Sequence, residues 1–359
     1  MVKTTWMKIS CLILLVCLLL QGCTEQKPSG EPEAQKSHAL LGFERATGER
    51  KYQTEVSDLA YLFDGPGIVH DGKLYFVGTE PKNSVLLAAD VKTGAVEKGS
   101  FPAIATSTDT RALPFFMRRG LVDKFDPAGG QLPQAPKVSG LPLAAQGNRL
   151  YSATPDVFIC YDTQSWEELW KVKLAGVSYA AVDENGEVAA ANPNGCRFYS
   201  ADGKELWKVD TPFQPSGVAL SENAVLVGTA KPRLWALDRK TGEKLWEQSW
   251  ESGANGWARP RVVGGLVAFP VGSNLEAFNI ATGEKKWTFE SVGSAVGVDP
   301  SAGQLFVISH DRDSLSCVDA SNGQALWTKK SETRLVGPAS FDEEGVYLFG
   351  VVDVTEASQ

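Results

Sequence analysis

Three stretches of sequence decide the fold, because they repeat one pattern: Leu234–Trp246 (LWALDRKTGEKLW), Leu275–Trp287 (LEAFNIATGEKKW) and Leu315–Trp327 (LSCVDASNGQALW). Each begins with four mostly apolar residues, followed by an Asp or Asn, a Gly four residues after that residue and a final Trp. Two further copies are Phe158–Trp170 (FICYDTQSWEELW) and the shorter Phe198–Trp207 (FYSADGKELW). The five final tryptophans lie 37, 39, 41 and 40 residues apart, the spacing of one four-stranded blade. The repeat therefore predicts an all-β propeller.

Each part of the pattern has a mechanical role. The run Leu234–Leu237 is apolar at every position, which is typical of a strand covered on both faces. Asp238 is placed to accept hydrogen bonds from the backbone of the following turn, and Gly242 allows the positive φ at which the chain reverses. We expect the same role for the other turn glycines: Gly48, Gly94, Gly283 and Gly323.

Weaker copies continue the series toward the N-terminus. Glu44–Tyr52 (ERATGERKY) and Asp90–Lys98 (DVKTGAVEK) keep the Thr-Gly pair, and Asp126–Gln134 (DPAGGQLPQ) keeps only its first Asp and one Gly. Counting all of them predicts eight blades, and omitting the third weak copy leaves seven as the alternative. Only two strands are expected after Trp327 and two around residues 39–52, so we expect both chain ends to share one blade that closes the ring and hides its edges.

The unit "strand-D/N-x-x-T-G-x-x-x-W" resembles the PQQ-like, or quinoprotein-type, β-propeller repeat. The resemblance spans residues 39–353 and is strongest over 150–330. In that family the tryptophan docks between neighbouring blades. The resemblance implies this role for five residues: Trp170, Trp207, Trp246, Trp287 and Trp327.

The N-terminus is typical of an export signal, because Lys3 and Lys8 precede a 12-residue apolar run, Ile9–Leu20. This run is too short to span a membrane comfortably. Leu20-Gln21-Gly22-Cys23 resembles a bacterial lipobox, which implies removal of residues 1–22 and lipidation of Cys23. Residues 23–38 read as the lipidated cysteine and a flexible tether, 39–353 as the propeller and 354–359 as a tail. By the same resemblance, Thr24 after the cysteine favours the periplasmic side of the outer membrane.

Charge and cysteine content make some functions unfavourable. The net charge is −8, and a chain starting at Cys23 loses Lys3 and Lys8 and carries −10, which disfavours nucleic acid as a partner. Cys160, Cys196 and Cys317 show no CxxC or Cys/His spacing, so we expect small buried strand residues. We expect no metal site, no cofactor and no catalytic residue, in a propeller that is monomeric.

An exported, lipid-anchored propeller of this repeat resembles the BamB family of outer-membrane protein assembly factors. That resemblance implies a non-catalytic scaffold that binds the β-barrel insertase in the cell envelope. Two alternatives remain: an envelope module that binds a ligand such as a carbohydrate in the propeller funnel, and a PQQ-dependent dehydrogenase. The enzymes of the second class hold calcium, a catalytic Asp and, in many cases, adjacent cysteines, and this chain has no adjacent cysteine pair. Trp250 and Trp257 are either exposed anchors for a partner or buried under their Gly-rich loop.

Overall fold

The apolar runs of the repeat form strands that are buried on both faces. In the strand Arg233–Asp238 the four central residues are buried, and every residue of the neighbouring strand Ala224–Thr229 is buried as well. A computed structural model describes residues 36–56, 61–62, 68–70, 72–79, 84–98, 139, 141–162, 165, 167–231, 233–251, 259–290 and 292–353. Within these residues the chain is all-β, and its strands pair only antiparallel.

The strands in the described ranges form seven sheets. Sheet 1 joins the two chain ends in the order β2-β1-β29-β28 and contains β1 (Lys36–Glu44), β2 (Arg50–Val56), β28 (Arg334–Phe341) and β29 (Gly345–Asp353). Sheet 2 contains β3 (Tyr61–Leu62), β4 (Ile68–His70), β5 (Lys73–Thr79), β6 (Ser84–Asp90) and β7 (Val96–Lys98), with β3 and β4 both paired to β5.

The other five sheets each contain four strands in simple succession. Sheet 3 is β8 (Leu141–Gln146), β9 (Arg149–Ala153), β10 (Val157–Asp162) and β11 (Glu168–Lys173). Sheet 4 is β12 (Tyr179–Val182), β13 (Val188–Asn192), β14 (Gly195–Tyr199) and β15 (Glu205–Asp210). Sheet 5 is β16 (Pro215–Leu220), β17 (Ala224–Thr229), β18 (Arg233–Asp238) and β19 (Lys244–Ser249). Sheet 6 is β20 (Arg261–Val263), β21 (Leu266–Val271), β22 (Asn274–Asn279) and β23 (Lys285–Phe289). Sheet 7 is β24 (Val292–Asp299), β25 (Gln304–Ser309), β26 (Ser314–Asp319) and β27 (Ala325–Lys330).

A β-bulge recurs beside each repeat tryptophan. In sheet 5, Ala236 of β18 faces Trp246 of β19, and the register shifts between Ala236 and Leu237. The same shift occurs in sheets 1, 3, 4, 6 and 7, at the residue that faces Tyr52 or a tryptophan. A bulge bends a strand and changes the direction of its side chains, so each outer strand is turned locally where its aromatic residue leaves the sheet.

The core lies between consecutive sheets. One strand of each sheet contacts the corresponding strand of the next sheet. These strands are, in order, β8, β12, β16, β20, β24, β28 and β4, so sheets 3, 4, 5, 6, 7, 1 and 2 follow in succession. Six clusters of buried apolar residues fill the six junctions between these neighbours. Each sheet is therefore stabilised by apolar burial against the sheets beside it.

The N-terminal boundary differs from the prediction. Strand β1 begins at Lys36, and the compact unit is Lys36–Asp353, so residues 36–38 of the expected tether are strand residues. His38 pairs with both Val56 and Val351 and is 8% exposed. A polar segment is held in the sheet here because the C-terminal strand supplies its backbone partners. Cys23, the signal segment, the tail and the weak copy at 126–134 lie outside the described residues. In the part of the chain that is described, no helix has the length and hydropathy needed to cross a membrane.

Candidate functional site: sheet junctions and a cationic patch

The repeat tryptophans contact the next sheet through one recurring hydrogen bond. The indole Nε1 of Trp207, on β15, donates to the carbonyl oxygen of Arg239 in the β18–β19 turn at 2.8 Å. The equivalent bonds run from Trp170 to Ala201 (3.0 Å), Trp246 to Ile280 (2.7 Å), Trp287 to Ala320 (2.9 Å) and Trp327 to Arg45 (2.8 Å). Each of these tryptophans thus fastens its own sheet to a turn of the following sheet, and we refer to this contact as the indole clasp.

The turn glycines lie directly against these rings. Gly242 has φ +74°, and a Cβ atom there would lie 2.7 Å from Cδ2 of the Trp207 indole. The other predicted turn glycines have the same conformation, with Gly283 against Trp246, Gly323 against Trp287, Gly48 against Trp327 and Gly94 against Tyr52. Glycine is therefore required at Gly242 for two reasons: the left-handed backbone and the space taken by the neighbouring ring.

Sequence reasoning missed one member of this set. Gly203 has φ +83°, and a Cβ atom there would lie 2.6 Å from the Trp170 ring. Its turn is one residue shorter than the others and begins at Ser200, whose hydroxyl oxygen accepts from the Lys204 N–H at 3.1 Å. The signal was the Asp202-Gly203 pair directly before a Glu-Leu-Trp sequence.

The capping carboxylates act as the pattern indicates. Asp238 Oδ1 accepts from the backbone N–H groups of Lys240 (2.9 Å) and Thr241 (2.8 Å) and from the Thr241 hydroxyl (3.1 Å). These hydrogen bonds, the one from the Thr241 backbone foremost, hold the pKa of Asp238 below its usual value. Asp90, Asn279 and Asp319 accept equivalent bonds in their own turns. The turn that presents its carbonyl to the clasp is thereby fixed from within.

Two arginines that the sequence did not single out reinforce two junctions. Arg239, whose carbonyl accepts from Trp207, forms ion pairs with Asp183 and, at 2.7 Å, with Glu187 of sheet 4. Arg45, whose carbonyl accepts from Trp327, pairs with Asp299 of sheet 7 and donates to Gln304 at 3.0 Å. Both arginines follow the acidic residue of the repeat, in Asp238-Arg239 and Glu44-Arg45, and that position was the available signal.

The three cysteines in the described ranges are buried and free. Burial raises the pKa of Cys160 to about 11, of Cys196 to about 12 and of Cys317 to about 11. They are therefore protonated at neutral pH and poor nucleophiles. Among the described residues, no group of three or more His, Cys, Asp or Glu side chains is arranged to hold a metal ion.

A small cationic patch lies where the chain passes from sheet 4 to sheet 5. Phe213 is half-buried in the connection between β15 and β16, with Lys231 Nζ 4.8 Å and Arg233 Cζ 5.1 Å from its ring centroid. Arg233 also pairs with Glu247, while Lys231 is exposed. Phe213, Lys231 and Arg233, which we call the cationic patch, present an aromatic ring beside positive charge on a protein that is acidic as a whole.

Trp250 belongs to the core and not to an exposed surface. Its ring lies 5.7 Å from the Phe269 ring and 5.8 Å from the Phe278 ring, centroid to centroid, in the cluster between sheets 5 and 6. Of the two interpretations that the sequence left open, burial is correct for Trp250, whose ring packs in this cluster. Trp257 lies outside the described residues.

Successive antiparallel sheets of four strands, or five in sheet 2, are joined at the six described junctions by a repeat aromatic residue and a turn glycine. This arrangement defines a β-propeller protein built from PQQ-like repeats. A family model described as "Outer membrane protein assembly factor BamB" matches residues 118–329, which is more than half of the chain. The chain therefore belongs to this family.

Curated relatives carry the same description. Outer membrane protein assembly factor BamB of Nitrosomonas eutropha is 31% identical over 173 residues, covering 44% of this chain and 41% of that protein. The protein of the same name from Burkholderia pseudomallei is 26% identical over 195 residues, covering 48% of this chain and 50% of its own length. The matches thus span about half the length of these relatives.

Two further similarities concern the repeat and the fold. Quinohemoprotein alcohol dehydrogenase ADH IIB of Pseudomonas putida is 34% identical over 115 residues, which cover 26% of this chain and 17% of the enzyme. The computationally designed Ika8 protein aligns with a TM-score of 0.58 at 14% identity, over 82% of this chain and 98% of that one. At that identity the likeness concerns the fold alone.

Proposed function

We propose that this chain is a lipid-anchored, non-catalytic scaffold on the periplasmic side of the outer membrane, where it binds the β-barrel insertase and aids assembly of outer-membrane proteins. The observation that carries the proposal is the family match over residues 118–329. The named assembly factors among the relatives support it, since their matches cover 41–50% of their own lengths against 17% for the dehydrogenase. The short match to the dehydrogenase reflects the shared repeat.

The patch of Phe213, Lys231 and Arg233 is the surface we assign to the partner. Aromatic and arginine side chains are enriched in protein interfaces, and binding sites concentrate on the connections of a rigid scaffold. Positive charge on an otherwise acidic protein favours an acidic segment of the partner. The repeat turn that starts at Asp238 lies at the opposite end of β18 from Arg233. We therefore expect this turn to face away from the partner.

Capture from native membranes tests this assignment. The tagged full-length protein, with Cys23 intact, is recovered in mild detergent, and we expect the insertase to co-purify in stoichiometric amount. Phe213→Ala combined with Lys231→Glu should reduce recovery at least fivefold. The control, Leu245→Ala combined with Lys240→Glu, changes an exposed apolar residue and an exposed lysine elsewhere on sheet 5 and should leave recovery unchanged. Absence of the insertase from the wild-type capture would refute the proposed partner.

We further propose that Cys23 is the anchor. Two or more acyl chains on one residue give stable membrane attachment, whereas one gives only marginal binding. Mass spectrometry of the mature protein should find an N-terminal Cys23 carrying the added mass of the acyl chains. Cys23→Ala should release the protein into the soluble periplasmic fraction, and retention of that variant in the membrane would contradict the anchor.

We also propose eight blades in a closed ring. The main contacts between the described sheets run from sheet 3 through sheets 4, 5, 6, 7 and 1 to sheet 2. Between β7 and β8 lie 42 residues, 99–140, about the length of one repeat. An eighth sheet from these residues would sit between sheets 2 and 3 and complete the ring. An experimental structure in which sheets 2 and 3 pack directly against each other would reduce the count to seven.

A further inference from the structure

One of the six described junctions is built differently from the rest. Between sheets 1 and 2 the clasp position is occupied by Tyr52, whose ring lies against Gly94 as the indoles lie against their own glycines. Gly42 faces Tyr52 across the strand pair, and a Cβ atom there would overlap the ring. The location of the aromatic ring is thus preserved, although its chemistry has changed.

The hydroxyl of Tyr52 does not replace the indole hydrogen bond. It is buried and has no hydrogen-bond partner among the described residues, and burial foremost raises the Tyr52 pKa. In the five indole junctions the accepting carbonyl belongs to the residue after the start of the turn, which here is Val91. A buried polar group without a hydrogen-bond partner destabilises the folded state. Each indole hydrogen bond, in contrast, stabilises its junction.

The residue after the start of the turn distinguishes this junction from two of the others, whereas Ile280 and Ala320 are apolar at the same position in two more. At two other junctions that position holds an arginine, Arg239 or Arg45, which forms ion pairs with the neighbouring sheet. At the junction of sheets 1 and 2 it holds Val91, which belongs to the apolar cluster instead. That cluster includes the pair Phe76 and Phe349, whose ring centroids lie 4.8 Å apart.

We infer that, of the six described junctions, the outer part of the one between sheets 1 and 2 opens first: Tyr52 and Thr54 of β2 separate from the turn at Gly94, while Phe76, Phe349 and the rest of the inner apolar cluster stay packed. The buried hydroxyl of Tyr52 and the loss of the indole bond both lower the cost of this separation. The opening exposes the Tyr52 ring and the side of β2 that faces sheet 2.

Thiol labelling of the full-length chain tests the opening. Thr54 lies two residues after Tyr52, and its Oγ1 lies 2.6 Å from where a Cβ atom of Gly94 would be. Val209 holds the same place after Trp207, and both side chains are half-buried. Thr54→Cys should react with a maleimide at least tenfold faster than Val209→Cys, with the parent chain as the blank for its native thiols. Equal rates would overturn the inference.

Aromatic substitutions separate opening from static exposure. Tyr52→Trp, added to Thr54→Cys, introduces an indole N–H at this junction and should slow labelling at least threefold. Tyr52→Phe removes the unpaired hydroxyl and should leave labelling unchanged or slower. Trp207→Phe, added to Val209→Cys, removes a clasp bond and should accelerate labelling. Acceleration by Tyr52→Phe would mean that the hydroxyl has a stabilising partner, and the inference would fail.

Discussion

At the scale of single residues, the indole and the turn glycine act as one unit. The ring of Trp207 occupies the space that a Cβ atom on Gly242 would need, and its N–H donates to the Arg239 carbonyl in the same turn. Each clasp therefore combines buried aromatic area with a hydrogen bond to a carbonyl that would otherwise lose its partner. The two contributions can be separated by substitution.

A pair of glycine substitutions isolates the ring contact. Gly242 and Gly264 both have positive φ, +74° and +56°, but nothing lies within 4 Å of a Cβ atom at Gly264. Gly264→Ala should cost about 1 kcal/mol for the left-handed backbone. Gly242→Ala carries that cost plus roughly 1–3 kcal/mol for displacing the Trp207 ring. Urea unfolding of both variants measures the difference, and equal losses would mean that the ring contact contributes nothing.

The clasp hydrogen bond is tested by Trp207→Phe. The substitution leaves the Arg239 carbonyl without its donor and removes part of the buried ring. We expect a loss of about 2–3 kcal/mol in the free energy of unfolding. Leu206→Ala is the control because Leu206 is 43% exposed on the same strand, and it should change stability by less than about 0.5 kcal/mol. Comparable losses for the two variants would mean that the indole clasp does not stabilise the fold.

At the scale of elements, the two chain ends are held together through Arg45. Strand β1 pairs with β29 over nine residue pairs, and Arg45, directly after β1, donates to the Asp342 carbonyl at 2.6 Å and pairs with Asp299 of sheet 7. One side chain therefore connects the first strand, the β28–β29 turn and the preceding sheet. Because Asp299 is buried, this connection should depend on pH.

Acid titration tests the Arg45–Asp299 pair. Burial alone would raise the Asp299 pKa, but hydrogen bonds from Ser301 and Arg45 outweigh it, so the pKa lies below the ordinary 3.8. A depressed pKa in the folded state stabilises the protein above the unfolded-state pKa, and this stabilisation is lost as pH falls through the folded-state value. Asp299→Asn should be less stable at pH 7 and lose less stability between pH 5 and 2. Parallel curves for wild type and variant would contradict the role of this pair.

How far sequence predicts these elements depends on whether the information is local. Each copy of the repeat holds its strand, its capping residue and its turn glycine within about 13 consecutive residues, so the pattern predicted these features, including five of the turn glycines. The sharing of sheet 1 by both chain ends was also predictable, because each end supplies only half a blade. Gly203 was missed because its turn is shorter, and the start of β1 was placed late because its partner is more than 300 residues away. The cationic patch combines two segments whose proximity only the fold defines.

At the scale of the whole molecule, the architecture suits a rigid scaffold. Each described sheet packs against a neighbour through an apolar cluster, and five of the six junctions add an indole clasp. Such a frame fixes the connections between sheets, and a surface that needs little ordering binds at lower entropic cost. The cationic patch lies where the chain passes from sheet 4 to sheet 5, two sheets that such a junction holds together.

If the protein aids assembly of outer-membrane β-barrels, as we propose, the level of folded barrels in the native host depends on it. Folded and unfolded barrel proteins are separated by their heat-dependent mobility in gels, in a strain that lacks the gene and in the same strain expressing the wild-type chain. We predict at least a twofold loss of folded barrel in the deletion strain, restored by the wild type but not by Phe213→Ala with Lys231→Glu. Unchanged levels of folded barrel in the deletion strain would contradict the proposed role in assembly.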